Sequence, residues 1–397
     1  MAQGSHGPAQ DMTTLALRRR SARPALAEQE LFAALDLGTN SCRMLIATPD
    51  AGHFRVVDAF AKSVRLGMGL ERTGHLSRGG IARTLQALGV CAEKLQRHGV
   101  RHARLVATEA CRRARNGDHF LGLVARETGL RLEVIRPEEE ARLAVISCAP
   151  LVAPSSEQVL VFDIGGGSTE LVWIDLSAVA PADRPKAIVD LRVSGGQGGP
   201  AEARIVDFIS VPLGVATLHE RFADVADDAA RFALMSWFFE EQIAEFGPYL
   251  ATPHTAPGGF QMIGTSGTVT TVGAAHLGLR RYDRRKVDGM RLTSEAIDAV
   301  IARFLRLGPE GRRADAGLGR DRCELIMSGA AILQTLLRIW PTDAIRVADR
   351  GLREGILFSM MSARGHCVAA PQPEPAAEPE DRAGAEAAGA APAAAGR

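Results

Sequence analysis

Residues 159–174 read VLVFDIGGGSTELVWI. An apolar run closes on Asp163, a turn follows at Gly165, Gly166, Gly167 and Ser168, and a second apolar run leaves from Thr169. Short apolar runs on either side of a turn-forming cluster predict a strand, a tight turn and a second strand. The arrangement occurs once before, in FAALDLGTNSCRMLIA at 32–47, where Asp36, Gly38 and Ser41 match Asp163, Gly165 and Ser168 in identical register. A repeat at domain scale implies duplicated units. The chain is therefore expected to hold two similar α/β domains, each opening with a β-hairpin and facing the other across a cleft.

Working outward, LSRGGIARTLQALGVCAEKLQRHGV (76–100) carries apolar residues at helical spacing, and RHARLVAT (101–108) reads as a strand entering a loop. PEEEARLAVISCA (137–149) begins with Pro137 and three glutamates, which suit a helix start through proline at the first position and through the dipole. The first domain is expected over 31–141, completed by 352–365, and the second over 142–351. Within the second, 181–210 is rich in Pro and Gly and reads as a surface insertion that interrupts the hairpin succession. RFALMSWFFEEQIAEF, SEAIDAVIARFLRL and CELIMSGAAILQTLLRIW are amphipathic helices whose aromatic and Met residues are expected in the core. Residues 1–30 and 366–397 have too few large apolar groups to offset ordering entropy, so both are expected to be disordered tails.

Composition narrows the function classes. The 397 residues are 46% hydrophobic and 23% charged, ordinary for a soluble globular protein. Lys plus Arg (47) nearly cancels Asp plus Glu (46), so no global positive field holds nucleic acid or an anionic membrane, and any polyanion must be gripped locally. Six scattered cysteines without a CxxC fit a reducing, cytoplasmic setting. Arg18, Arg19 and Arg20 precede no apolar stretch of the secretion-signal kind, and no segment reaches the ~20 apolar residues that spanning a membrane requires.

Three glycine-rich turns follow apolar runs: DLGTNS, DIGGGST and GTSGTVTT (264–271). Glycines let backbone N–H groups converge on an anion, and Ser and Thr hydroxyls add donors. The candidate phosphate contacts are thus Gly38, Thr39, Asn40 and Ser41, then Gly165 to Thr169, then Gly264, Ser266, Gly267 and Thr268. None matches GxxxxGK[ST] or a GxGxxG in a βαβ unit, which disfavours those nucleotide folds. Asp163 and Glu170 flank the second turn, and two carboxylates beside a phosphate turn suit Mg²⁺, although an exposed strand charge also explains Glu170. Glu140, taken alone within its PEEE run, reads as a charge that stabilises the helix start. Arg112, in the loop after a strand, offers a planar fork to a phosphoryl oxygen or to solvent. Arg280, Arg281, Arg284, Arg285 and Lys286 form a dense cluster that either lines an approach for a polyanion or is solvated surface. No HExxH, HxH or GxSxG is present, which argues against zinc and serine hydrolases.

The core, 31–365, resembles the exopolyphosphatase / guanosine pentaphosphate (pppGpp) phosphohydrolase family, Ppx/GppA phosphatases of the short two-domain form. AALDLGTNSCRMLIA, ATEACRRARN, EVIRPEEEARL, VFDIGGGSTEL, GTSGTVTT, DRCELIMSGAAIL and ADRGLREGIL carry the resemblance in order. It implies an α/β fold of two ribonuclease-H-like domains, within the actin, sugar kinase and heat-shock-protein superfamily. By resemblance Glu140 is the catalytic base, Asp163 and Glu170 are metal-binding acids, Gly165 to Thr169 form the phosphate loop, and Arg112 contacts phosphate. Asp36, Thr39, Asn40 and Ser41 match the first phosphate turn. Two departures stand out: Arg136-Pro137-Glu138 replaces the family's Ser-Gly before its EEA, which stiffens the approach to the base, and the 181–210 stretch is unusual.

The implied activity is release of terminal orthophosphate from inorganic polyphosphate, with hydrolysis of pppGpp to ppGpp as an additional or replacement reaction, and with Mg²⁺ or another divalent cation as cofactor. The resemblance leaves a homodimer open and implies neither a nucleic-acid nor a membrane partner. A kinase of the same superfamily and a noncatalytic polyphosphate or pppGpp sensor are the alternatives; Glu140 at the base position argues against the kinase, and Glu140, Asp163 and Glu170 together argue against the sensor.

Overall fold

The first hairpin pairs Phe32–Leu37 (β1) with Ser41–Asp50 (β2) antiparallel, and His53–Ser63 (β3) extends it. The structure is a computed structural model that describes residues 30–50, 52–191, 202–248, 259–319 and 322–366. His102–Ala107 (β4) joins β1 in parallel, and Glu133–Val134 (β5) joins β4, which gives a sheet in the order β3-β2-β1-β4-β5. Because β1 lies between β2 and β4, Phe32, Ala33, Ala34 and Leu35 are fully buried, which is why both faces of this strand are apolar.

The second sheet repeats the plan. Gln158–Ile164 (β6), Thr169–Asp175 (β7) and Arg204–Val211 (β8) form an antiparallel meander, and Phe260–Thr265 (β9) pairs with β6 in parallel. Arg291–Thr293 (β10) and Ala344–Ala348 (β11) complete the order β10-β11-β9-β6-β7-β8. The order matches that of the first sheet with one added antiparallel edge strand, so the duplicated ribonuclease-H-like fold is present in both halves.

The expected insertion is shorter than 181–210. Its end, from Arg204, is β8, whose residues pair with β7 from Asp175 back to Thr169. β8 is the counterpart of β3, and its neighbours' Pro and Gly content masked an alternating strand pattern. Residues 184–189 form a short helix, and 192–201 lie outside the described residues, as do 1–29 and 367–397 of the expected tails.

Helices cover the sheets. Arg78–Arg97 (α1) is capped by Ser77, whose Oγ accepts from Gly80 N, and buries Thr84, Ala87, Leu88 and Cys91. Glu109–Arg113 (α2) and Gly117–Thr128 (α3) follow β4, and Pro137–Cys148 (α4) follows β5. In the second half come Val215–Arg221 (α5), Asp228–Gln242 (α6), Gly267–His276 (α7), Arg284–Val287 (α8), Ser294–Ala314 (α9, broken at Gly308) and Ile326–Ile339 (α10). Leu352–Ser362 (α11) is last. Phe232, Met235 and Phe239 of α6 are in the core as expected, but Trp237 of the same helix is 56% exposed.

The proposed boundary at 141/142 falls inside α4, which is continuous. Its Leu143 packs with Phe32, Ala34 and the α11 residues Leu352 and Ile356, while Ala141, Val145 and Cys148 pack with Val159, Val161 and Val172 of the second sheet. One helix thus seals both sheets, and the described residues from Leu31 onward form one contact unit of two lobes. The described cysteines are buried, and no disulfide joins any two of them. Among the described residues no helix is long and apolar enough to cross a membrane.

Candidate active site

Each hairpin brings one aspartate to the cleft in the same way. Gly38 N donates to Ser41 O at 3.0 Å in the first turn, and Gly165 N donates to Ser168 O at 2.9 Å in the second. The cross-strand partners then differ. Asp36 faces Arg43, whereas Asp163 faces Glu170. Directly opposite residues share one face of the ladder, so the first lobe presents a carboxylate with a cation and the second presents two carboxylates. Glu170 is buried, and its Oε1 accepts from Ser210 Oγ of β8 at 2.9 Å.

The two turns touch. A Cβ on Gly167 would lie 2.3 Å from Thr39 Oγ1 and 3.1 Å from Glu109 Cγ, and one on Gly166 would lie 3.2 Å from Asn40 N. Absent side chains at 166 and 167 therefore let the lobes close on each other, beyond any service to a phosphate.

Three successive glutamates at the start of α4 take three environments, because each step turns a helix by about 100°. Glu138 is exposed, Glu139 pairs with Arg104 and Arg142 at 2.8 Å each, and Glu140 turns into the cleft with its side chain 13% exposed. Pro137 occupies the first turn, where its missing N–H is not needed. Arg112 Nη1 donates to Glu140 Oε2 at 2.7 Å and to Ile135 O at 2.8 Å, while Nη2 donates to Glu109 Oε2 at 2.9 Å. Burial pushes Glu140 up to about 7; Arg112 opposes the shift, and Asp36 and Asp163 add to it.

A cavity of about 480 Å³ joins these parts. Asp36, Gly38, Thr39, Asn40 and Ser41 line it from the first lobe, and Glu140 from α4. Asp163, Gly165 to Ser168 and Glu170 line it from the second hairpin, and Ser266, Gly267 and Thr268 from the third turn. Other expected residues are elsewhere. Arg112 stands behind Glu140 and does not line the cavity, since its donors are committed to two carboxylates and a carbonyl. Thr169 is buried and donates to Leu213 O at 2.7 Å. Gly264 packs against Phe162, whose Cζ would lie 2.4 Å from a Cβ there.

Arg281, Arg284, Arg285 and Lys286 also lie outside the cavity, and Arg284 is tied to Asp349 O (2.6 Å) and Glu354 Oε1 (3.3 Å). The cations that do line it were not singled out: Arg43, Lys62, Arg322, Arg350 and Arg353. Arg350 is nearly buried and held by Asp288 at 2.8 Å, and Arg322 donates to Thr271 Oγ1 at 2.9 Å.

Ser266, at the start of α7, has φ 92° and ψ 179°, a region that is almost exclusively glycine's and costs a non-glycine residue about 1–3 kcal/mol. Its hydroxyl and that of Thr39 are buried without a hydrogen-bond partner, and each such group costs roughly 1–3 kcal/mol. Unpaired donors at one cavity are what a ligand rich in acceptor oxygens would satisfy.

The model of the Ppx/GppA phosphatase family matches residues 45–364. The chain belongs to this family. A guanosine-5'-triphosphate,3'-diphosphate pyrophosphatase of Aeromonas salmonicida is 28% identical over 343 residues, which are 85% of this chain and 61% of that protein. The chain thus spans less than two thirds of that relative's length. The crystal structure of the Aquifex aeolicus member of the Ppx/GppA family superposes with a TM-score of 0.65 at 29% identity, over 85% of this chain and 99% of that one. An exopolyphosphatase structure from Cytophaga hutchinsonii shares the fold, with a TM-score of 0.70 at 22% identity over 86% of this chain and 99% of that one.

In this Ppx/GppA chain the acids crowd together. Burial raises Asp36, Asp163 and Glu170; Asp36 further lifts Asp163 to about 7 against the pull of Arg43, and Glu140 and Asp163 further lift Glu170. Such crowding favours either protons or a cation. The donors are hard oxygens, and among the described residues no three His, Cys, Asp or Glu converge as a ligand set. That suits Mg²⁺, which takes one or two carboxylates and completes its shell with water and phosphate oxygens, and it does not suit zinc.

Proposed function

We propose that this chain hydrolyses the terminal phosphoanhydride of inorganic polyphosphate, of pppGpp, or of both, releasing orthophosphate without a covalent phosphoenzyme. The observation that carries this reading is the lining of a single cavity by Glu140, the Asp163–Glu170 pair and all three glycine turns. A base is most effective when its pKa lies near the working pH, and burial places Glu140 there. Arg112 occupies Oε2 of Glu140 and leaves Oε1 to accept a proton from an attacking water.

Asp163 and Glu170 would hold Mg²⁺. Once bound, the ion neutralises charge on the phosphoryl oxygens. Backbone N–H groups of Gly166, Gly167 and Ser168 and the hydroxyls of Thr39 and Ser266 orient those oxygens, and Arg43 adds a cation from the first lobe.

Orthophosphate release from long-chain polyphosphate and from pppGpp, each with Mg²⁺ and with Glu140→Gln as control, tests the reading. Turnover of either by the wild type and by no more than a trace in the variant is expected. Phosphate moved from ATP to an acceptor would instead indicate a kinase, and binding without release a sensor.

A further inference from the structure

Each of the first two glycine turns is gripped by a second element. In the first lobe the segment that leaves β3 doubles back under the turn: Val64 N and Arg65 N donate to Asn40 O at 2.9 Å each, and Gly67 N donates to Thr39 O at 2.9 Å. A Cβ on Gly67 would lie 2.3 Å from Thr39 Cγ2, so this strap and the turn behave as one piece. In the second lobe the start of α5 holds the other turn. Val215 N donates to Gly165 O at 2.9 Å, and Ala216 N donates to Gly166 O at 2.8 Å.

The far end of α5 meets the strap. Gly69 N donates to Glu220 Oε2 at 3.1 Å, and Arg221 Nη1 donates to Glu71 Oε1 at 3.4 Å. Gly69 and Glu71 belong to the first lobe, Glu220 and Arg221 to the second, and none of the four lines the cavity. Both charged partners are held in advance on their own lobe. Arg113 donates to the other oxygen of Glu71 at 2.7 Å, and the Arg221 guanidinium lies 4.3 Å from the centre of the Phe238 ring on α6. Side chains fixed in this way lose little further freedom when they meet. A looser pair, Arg65 with Glu324 at 3.8 Å, also joins the strap to the second lobe.

These bonds close a circuit from the first turn through the strap and α5 to the second turn, whose Gly166 and Gly167 pack directly on Asn40 and Thr39. We infer that Glu220 and Arg221 are positioning residues: they clasp the strap and so hold the two phosphate turns at one spacing across the cleft. The kinetic consequence rests on the phosphoanhydride reading above, whereas the closure itself does not. Partly exposed ion pairs and one charge-assisted hydrogen bond bias an equilibrium by roughly tenfold, which favours closed lobes without locking them. Salt should loosen such a clasp.

Glu220→Ala, Arg221→Ala and their combination in the full chain test it, with Glu220→Gln, which keeps an acceptor, and Arg221→Lys, which keeps the charge, as rescues. Small-angle scattering without substrate should give a larger radius of gyration for the double alanine variant than for wild type at low salt, and high salt should expand wild type more than the variant. Where open lobes must be closed by the substrate, apparent affinity falls by the closed fraction, so KM should rise roughly tenfold with kcat within about twofold of wild type. Because the clasp touches no substrate, the factor should be equal for long polyphosphate and pppGpp, and the rescues should stay near wild type. Each single alanine variant should show a smaller rise, which keeps the test readable should the double variant melt below the assay temperature. If wild type hydrolyses neither substrate but the scattering difference appears, the clasp stands and the hydrolase reading falls. An unchanged radius of gyration with unchanged KM would overturn the clasp. So would a KM rise confined to one substrate, which would make these residues substrate contacts.

Discussion

Arg112 holds Glu140 through a 2.7 Å bond to one carboxylate oxygen and grips Glu109 with the other arm of its guanidinium. An arginine so committed positions a base; it has little left to offer a phosphate. Arg112→Met should therefore lower kcat far more than it raises KM. Because Arg112 favours the charged form of Glu140, its loss should also move the acidic limb of the kcat–pH profile to higher pH. A phosphate-contacting arginine would show the opposite split, with KM rising and the limb unmoved.

For the wild type, a base whose value lies at about 7 is protonated and idle below that pH. Activity should fall as pH drops through this region, and Glu140→Gln should lose about 10²–10⁴-fold in kcat at every pH while still binding substrate. A variant that kept a tenth of wild-type kcat would remove Glu140 from the mechanism.

Asp163 sits above its ordinary range, so the fold favours its protonated form, and ionising it as pH rises toward about 7 costs stability. With chelator present at pH 8, Asp163→Asn should melt several degrees above wild type, and the difference should shrink at pH 5, where the native carboxyl is already neutral. The same variant, and Glu170→Gln, should need more Mg²⁺ for half-maximal activity. Equal Mg²⁺ dependence in both would place the cation elsewhere.

Gly264 separates packing from binding. Alanine there would press on Phe162 Cζ and on Val269, and overpacking of this kind costs about 1–3 kcal/mol. Thermal melting should register that loss, while KM below the melting transition stays at the wild-type value.

Both hairpins and their aspartates were legible because a turn of Gly, Asn and Ser between apolar runs leaves the backbone few options. The partner of Asp36 was legible too, though less openly: the register that matches Asp36 with Asp163 also matches Arg43 with Glu170. β8 was hidden because the Pro and Gly upstream of Arg204 outweighed RIVDFISV in a window that spanned both. Glu138, Glu139 and Glu140 are indistinguishable in sequence, since periodicity separates their directions without saying which one meets the second lobe. The roles of Thr169 and Gly264 depend on what packs over them, Leu213 and Phe162, and local pattern carries nothing of that.

Charge density in sequence pointed to 280–286 as the grip for a polyanion, but the cavity is lined instead by isolated cations brought together from distant elements. Arg281 and Arg285 are exposed on the outer surface, where salt screens a charge within roughly 8–10 Å. Arg43 is partly buried in the cleft, unpartnered, and close enough to Asp36 and Asp163 to pull both carboxyls down. Arg43→Gln should therefore raise KM for polyphosphate by roughly tenfold or more, as for a lost charge-assisted contact. The Arg281→Gln/Arg285→Gln double variant should match wild type on both long polyphosphate and pppGpp. Steady-state kinetics at low and moderate salt decide the matter: a KM increase for the double variant on long chains alone would return the grip to the surface cluster, and an unchanged KM in Arg43→Gln would leave that guanidinium as a balance for the two buried aspartates.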